Sequence, residues 1–253
     1  MVNVLYAVLH SLLSCLIPPA NLLVILAVYQ LMRRQPGTSY VYILNLATAD
    51  LLVGVMSVVE ALDDIFDGAF DYSKCFCLLR IAMSMTPCIG SILTLLLISL
   101  DRYLAVTLPL SYPTLLKKTP IVLSLVVLWM LAFLFGHLPV ILPSLQRGNY
   151  TGSCGLLHVA KSEYLYVICF GVFAPSLLVL VCLYVSALRT VLLVIVGFSL
   201  TWGPYLVGGT VLASPLLDAL FLLGETNSLV NPLIYALYSR DIRSHLAKLL
   251  QCR

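Results

Sequence analysis

Apolar residues fall in seven long runs separated by short polar connections, and this pattern predicts the elements. The runs cover approximately residues 4–31, 39–65, 74–107, 120–142, 163–189, 190–212 and 216–238. Each is near or above the roughly 20 residues an α-helix needs to cross a bilayer. Long continuous apolar runs do not suit a barrel of alternating strands. The third run exceeds what a bilayer needs, so its helix is expected to tilt or to project. In the final SRDIRSHLAKLLQCR, Ile242, Leu246, Leu249 and Leu250 share one helical face, with Arg243 and Lys248 off it. That is the pattern of a helix over about 240–250 lying on the membrane surface. The predicted fold class is an all-α membrane protein: a seven-transmembrane helix bundle, one domain over 1–253, with a short amphipathic helix at the C-terminus.

One boundary breaks the pattern. Between Tyr164 and Leu212 only Arg189 is charged, so two spans follow one another with almost no connection. The reading is that a cytoplasmic loop is missing near residues 189–191; a tight turn at Arg189 and Thr190 is the alternative.

Composition agrees with a membrane solvent. The chain is 61% hydrophobic and 10% charged, whereas a soluble domain carries about 25% charged residues. The net charge of +3 matters less than its placement. The connections after runs one and three and the tail after run seven are basic. Those after runs two and four carry Asp63, Asp64, Asp67 and Asp71, and an Asn-x-Thr acceptor at Asn149. This alternation puts the amino terminus outside and the carboxyl terminus in the cytoplasm, with seven crossings between. No long basic run interleaved with aromatics is present, so nucleic-acid binding is not indicated.

Of the eight cysteines, most sit in apolar runs and read as small buried hydrophobes. Cys77 and Cys154 are expected on the outer, oxidising side and are the preferred disulfide pair, with Cys75 as competitor. Asn149 is a glycosylation candidate. Cys252, beside the last amphipathic turn, is a palmitoylation candidate or a free thiol.

Charged and polar residues inside the runs carry the chemistry, because an ionisable group in hydrocarbon is retained for a reason. Asp50 lies mid-span, and Asp101 and Arg102 end the long third run. NLATADLL in run two, DRY in run three, Trp129, Pro175, FSLTWGPY in run six and NPLIY in run seven together closely resemble the class A, rhodopsin-like G-protein-coupled receptors. The match covers essentially the whole chain. The segments CLLRIAM, LLISLDRYLAV, FLFGHLPVILP, GSCGLLHV and NSLVNPLIYA are most similar to a branch responding to acylethanolamides and lysophospholipids through the stimulatory G protein.

The resemblance implies roles residue by residue. Ser91, Asn227, Ser228 and Asn231 would converge on Asp50 as donors around a sodium ion in the inactive state; a hydrogen-bonded water network is the alternative. No other cofactor is implied. Arg102 would pair with Asp101 at rest and turn to the G protein on activation, within a switch that includes Tyr103, Pro175, Ile92, Phe198, Trp202, Asn231, Pro232 and Tyr235. A snorkelling interfacial pair is the plainer account of the arginine. Leu110 would join Arg102 as a G-protein contact.

The ligand is expected between the outer halves of the helices, against Glu60, Arg80, Met83, Ser84, Pro87, Cys88, Phe170, Trp202, Tyr205, Leu206, Phe221 and Glu225. Amine receptors of the family carry aspartate where Ser84 stands, and opsins carry their retinal lysine where Glu225 stands. The mostly apolar remainder favours a lipid chain. Glu60, Arg80 and Glu225 either form an internal ion pair or leave an acid for a cationic head group.

The expected function is therefore a plasma-membrane receptor that binds a lipid agonist and activates a heterotrimeric G protein of the stimulatory type, raising cyclic AMP. A receptor for a basic peptide, similar to the melanocortin type, is the alternative suggested by the acidic outer rim; a constitutively active orphan is another. No HExxH, GxSxG or paired intramembrane aspartates speak for an enzyme, and no inverted repeat speaks for a transporter.

Overall fold

The computed structural model describes residues 2–34, 37–66, 73–108, 110–112, 117–150, 152, 154–187, 196–197, 199–205, 214–238 and 240–250. Helix α1 spans Val2–Arg34 and closes on two arginines, whose charge suits the negative end of the helix dipole. After the extended Gly37, α2 runs Thr38–Ile65. Helix α3 runs Lys74–Thr107 and starts at Ser73, whose hydroxyl accepts from the Phe76 N–H at 3.4 Å.

Helix α4 spans Lys118–Gly136, shorter than the apolar run over 120–142. Pro139 lacks the N–H a continuing helix needs and its ring would crowd the carbonyl four residues back. The chain therefore turns at His137, forms a short helix Leu138–Ile141, and passes through a 3₁₀ turn Pro143–Leu145. Helix α5 is built of three consecutive segments: Ser162–Ile168, a π-turn Cys169–Phe173, and Ala174–Ala187. Pro175 cannot bond back to Gly171, and the wider turn just before it absorbs that loss.

Residues 199–205 are helical and are termed α6. Helices α7, Ser214–Glu225, and α8, Asn227–Tyr238, are separated by Thr226 alone. Helix α9 spans Arg240–Leu250. The junction near 189–191, where a missing loop was expected, lies outside the described residues.

The core forms around α3. Its residues Met85, Cys88, Ile89, Ile92 and Leu95 recur at helical spacing. They pack on Leu46 and Val53 of α2, Ala132 of α4, Tyr164, Ile168 and Phe173 of α5, and Trp202 and Tyr205 of α6. Polar side chains stitch the same helices: Trp129 Nε1 donates to Asn45 Oδ1 at 2.9 Å, and Asn45 Nδ2 donates to Thr94 Oγ1 at 2.8 Å. Close approach of α1 and α2 depends on Gly54, where a Cβ would come within 2.8 Å of Ile17 and Pro18. Ile242 of α9 is fully buried against Val24, Val28, Leu31 and Ala47, while Arg243 is exposed.

The opposite pattern marks the outside. Val122, Leu123, Val126, Met130 and Phe133 of α4 are all exposed. A face this apolar is stable only against a non-aqueous neighbour. Among the described residues, five helical stretches are long and apolar enough to cross a membrane: Val4–Arg34, Ser39–Ile65, Lys74–Thr107, Lys118–Gly136 and Ser162–Leu180.

Candidate functional site

Three polar clusters lie along the buried side of α2 and α3. The middle one centres on Asp50, which is fully buried. Desolvating a carboxylate costs several kcal/mol unless donors replace the water, so its partners matter. Ser91 Oγ donates to Oδ1 at 2.7 Å, Ser228 Oγ to Oδ1 at 3.0 Å, and Asn231 Nδ2 to Oδ2 at 2.8 Å. Asn227 is buried at the start of α8 and makes no hydrogen bond to Asp50 among the described residues. Asn21, which the sequence reading passed over, donates to the Ser228 carbonyl at 3.0 Å and ties α1 to this cluster. Its only advance signal was an amide inside the first apolar run. Each serine hydroxyl keeps lone pairs after donating its proton. Together with the carboxylate they form an oxygen set that fits a hard monovalent cation.

A second cluster closes the C-terminal end of α3. Asp101 is buried, and Arg102 keeps 47% of its side chain exposed while its NH2 lies 2.7 Å from Asp101 Oδ2. Ser39 Oγ donates to the same oxygen at 2.9 Å and itself accepts from Arg102. Tyr112 Oη donates to Oδ1 at 2.9 Å. Arg102 is thus held by α2 as well as by its neighbour. Tyr103 is half-buried, and Leu110, just past the helix, is 94% exposed.

The third cluster, toward the N-terminal end of α3, differs from the expected pairing. Arg80 pairs with Asp63, and among the described residues no hydrogen bond or ion pair joins it to Glu60 or Glu225. Glu60 instead receives Ser84 Oγ at 2.9 Å on Oε1, with His10 Nε2 at 3.3 Å from Oε2. His10 Nδ1 is 2.6 Å from Asp64 Oδ2. Glu225 is 1% exposed; its Oε2 accepts from Ser57 Oγ at 3.2 Å, and among the described residues no N–H or hydroxyl donor reaches its Oε1. Ser57, Glu60 and Asp64 share one face of α2 by their spacing, which the sequence did display. His10 gave no local signal, because only the packing of α1 on α2 sets it opposite them.

An aromatic group packs in the same core. The Trp202 ring is 5.2 Å from Phe173, 6.1 Å from Tyr205 and 6.0 Å from Phe221. Pro87, Cys88 and Ile92 of α3 are buried on the same inner side. Met83 and Phe170, expected in the lining, face outward at 52% and 65% exposure. One residue is about 100° of helix rotation, so Met83 points away from buried Ala82 and Met85. The π-turn turns Cys169, Val172 and Phe173 inward and leaves Phe170 outside. Pro175 is exposed, whereas Pro232 is buried within α8. Phe198, Leu206, Cys252 and the Tyr235 side chain lie outside the described residues. A separate apolar groove of about 600 Å³ runs along α4 between Val122, Trp129 and Phe133, away from all three polar clusters.

Cys77 and Cys154 form a disulfide with Cα atoms 5.6 Å apart, and Cys75 is exposed and free. The bridge anchors the loop that follows α4 over the start of α3. Backbone bonds from Arg147 N to Val159 O and from Lys161 N to Leu145 O, both 2.8 Å, fold that loop on itself. Asn149 is exposed on it.

A long central helix ending in a latched Asp-Arg pair, a buried aspartate bonded from two other helices, and a loop bridged to the start of that central helix define a receptor-type site within a bundle of apolar helices. The profile of the 7 transmembrane receptor (rhodopsin family) matches residues 20–191, and the chain belongs to that family. It is a multi-pass membrane receptor rather than an enzyme. It is 31% identical over 285 residues to the Glucose-dependent insulinotropic receptor of Homo sapiens, covering 95% of this chain and 85% of that protein. The receptor of the same name in Rattus norvegicus is 29% identical over 284 residues, with 95% of this chain aligned to 61% of its length, under two thirds of that relative. The Histamine H2 receptor of Homo sapiens is 28% identical over 272 residues, 92% of this chain and 76% of that receptor. These alignments are longer than the 253 residues present here, so the relatives hold internal positions with no counterpart in this chain.

Proposed function

We propose that the protein is a plasma-membrane G-protein-coupled receptor that binds a lipid of the acylethanolamide or lysophospholipid type and activates a stimulatory heterotrimeric G protein, raising cyclic AMP. In this reading seven helices cross the membrane, the amino terminus is outside, α9 lies on the cytoplasmic surface, and a loop is lacking near 189–191. The observation that carries it is the Asp101 cluster. A buried acid held by Arg102, Ser39 and Tyr112 is a latch whose release frees Arg102, with Leu110 beside it, for a docking partner. An agonist that fits the released arrangement better shifts the population toward it by its differential affinity, and the G protein, by linkage, raises agonist affinity in return.

The aromatic group of Phe173, Trp202, Tyr205 and Phe221 supports an acyl chain as the ligand's main mass. Sodium, held by Asp50, Ser91 and Ser228, would supply charge compensation in the resting state. A glycan at Asn149 and an acyl chain on Cys252 belong to the same reading.

A cationic amine is the second reading, favoured by one contact. Ser84 replaces the usual aspartate of amine receptors, yet its hydroxyl lies 2.9 Å from the Glu60 carboxylate, which restores an acid beside that position. Cyclic AMP measured in cells expressing the chain, with acylethanolamides, lysolipids and small amines applied in turn, tests both. A response to lipids that Arg102→Ala abolishes at equal surface expression is expected. A response to amines alone would replace the lipid reading.

A further inference from the structure

We infer that His10, Glu60 and Glu225 form a binding site for a divalent transition-metal ion of the zinc type, joining α1, α2 and α7. One ligand atom from each residue lies within 4.8 Å of the other two. His10 Nε2 and Glu60 Oε2 are 3.3 Å apart. Two ligands held about 2.0–2.1 Å from a tetrahedral zinc ion stand roughly 3.3 Å from each other, so this pair already has the spacing of two corners of the site.

The surroundings orient each ligand inward. His10 Nδ1 is engaged by Asp64 Oδ2 at 2.6 Å, which leaves Nε2 toward the cluster. A carboxylate on the far nitrogen is the usual outer support of a metal-bound histidine. Ser84 holds Glu60 by Oε1, and Ser57 holds Glu225 by Oε2. That leaves one oxygen of each carboxylate for an ion. The Glu225 oxygen is the independent sign: Oε1 is buried, on a residue 1% exposed, and among the described residues no N–H or hydroxyl donor reaches it. An unsatisfied buried carboxylate oxygen costs more than most contacts return.

Charge and softness select the ion. Two carboxylates and a neutral imidazole offset a dication, and an imidazole ligand favours zinc-like ions over magnesium or calcium. Side-chain exposures of 13% for His10 and 17% for Glu60 leave a path for entry. Three protein ligands leave a fourth position for water or for a polar group of a bound molecule. An ion here would hold the outer ends of α1, α2 and α7 together. The inference does not depend on which agonist the receptor takes.

The test uses the purified full chain in lipid nanodiscs, stripped with chelator and with accessible thiols alkylated, since Cys15 and Cys75 are exposed and free. Zinc should raise the thermal midpoint saturably, and magnesium at the same concentration should not. His10→Ala and Glu225→Gln should remove the shift, Asp64→Asn should weaken zinc binding about 10- to 100-fold, and Glu163→Gln, at an exposed acid of α5, should leave it intact. A shift that persists in both ligand variants, or one matched by magnesium, would overturn the site. If the variants do not fold, cobalt decides on the unaltered protein. A strong visible absorption of tetrahedral type without thiolate charge transfer supports the site, and its absence rejects it.

Discussion

Tyr112 donates a 2.9 Å hydrogen bond to Asp101 at the C-terminal end of α3. The acid is buried and the tyrosine comes from the segment beyond the helix, so the bond joins the latch to the connection that follows it. Because the acid keeps Ser39 and Arg102 as donors, Tyr112→Phe should cost the latched state about 1–2 kcal/mol, a five- to thirtyfold shift in the resting equilibrium. Ligand-independent cyclic AMP, normalised to surface receptor, should rise accordingly. No rise at matched expression would mean that this contact does not restrain the switch.

Asp50 is served from α3 by Ser91 and from α8 by Ser228 and Asn231. If sodium completes this group in the resting state, agonist affinity should fall as sodium chloride replaces choline chloride. Asp50→Asn removes the charge the ion needs while keeping a side chain of the same shape. Affinity in that variant should no longer respond to the exchange; a salt response equal to that of the unaltered receptor rejects the ion.

The bridge between Cys77 and Cys154 closes a loop with a sequence separation of 77. Losing such a bridge costs about 2–5 kcal/mol, and here it also frees the loop held at the start of α3. Cys77→Ser and Cys154→Ser should each sharply reduce surface expression, and together they should do no more than either alone. Cys75→Ser should be neutral. Surface labelling of epitope-tagged variants measures all four, and a strong defect from Cys75→Ser would point to a different pairing.

The helices themselves were the most legible part of the sequence, because long apolar runs with no period of two admit one solution in lipid. Their interruptions were less so. Pro139 stands near the end of run four and Pro175 within run five, but nothing in the sequence says that α4 stops at Gly136 or that α5 takes a π-turn over Cys169–Phe173. That turn displaced Phe170 from the lining. For the same kind of reason Arg80 could be seen to need an acid, while the choice of Asp63 over Glu60 depends on how α2 and α3 pack. His10 was out of reach altogether, since its partners Glu60 and Asp64 are fifty or more residues away.

Gly224 lies against Trp202 so closely that a Cβ there would come within 2.6 Å of the ring carbons Cε3 and Cζ3. Nearby rings on Phe173, Tyr205 and Phe221 limit where the indole can go. Gly224→Ala therefore cannot be absorbed by a small side-chain movement, and either the indole or α7 must shift. Overpacking of this kind costs about 1–3 kcal/mol. The chain has two tryptophans, so on a Trp129→Phe background Trp202 reports alone. Its emission maximum should move in the alanine variant, and the maximal agonist response should drop at unchanged surface expression. An unmoved emission with a full response would show that Trp202 is not pinned against α7, and its role as a pivot between ligand and latch would have to be given up.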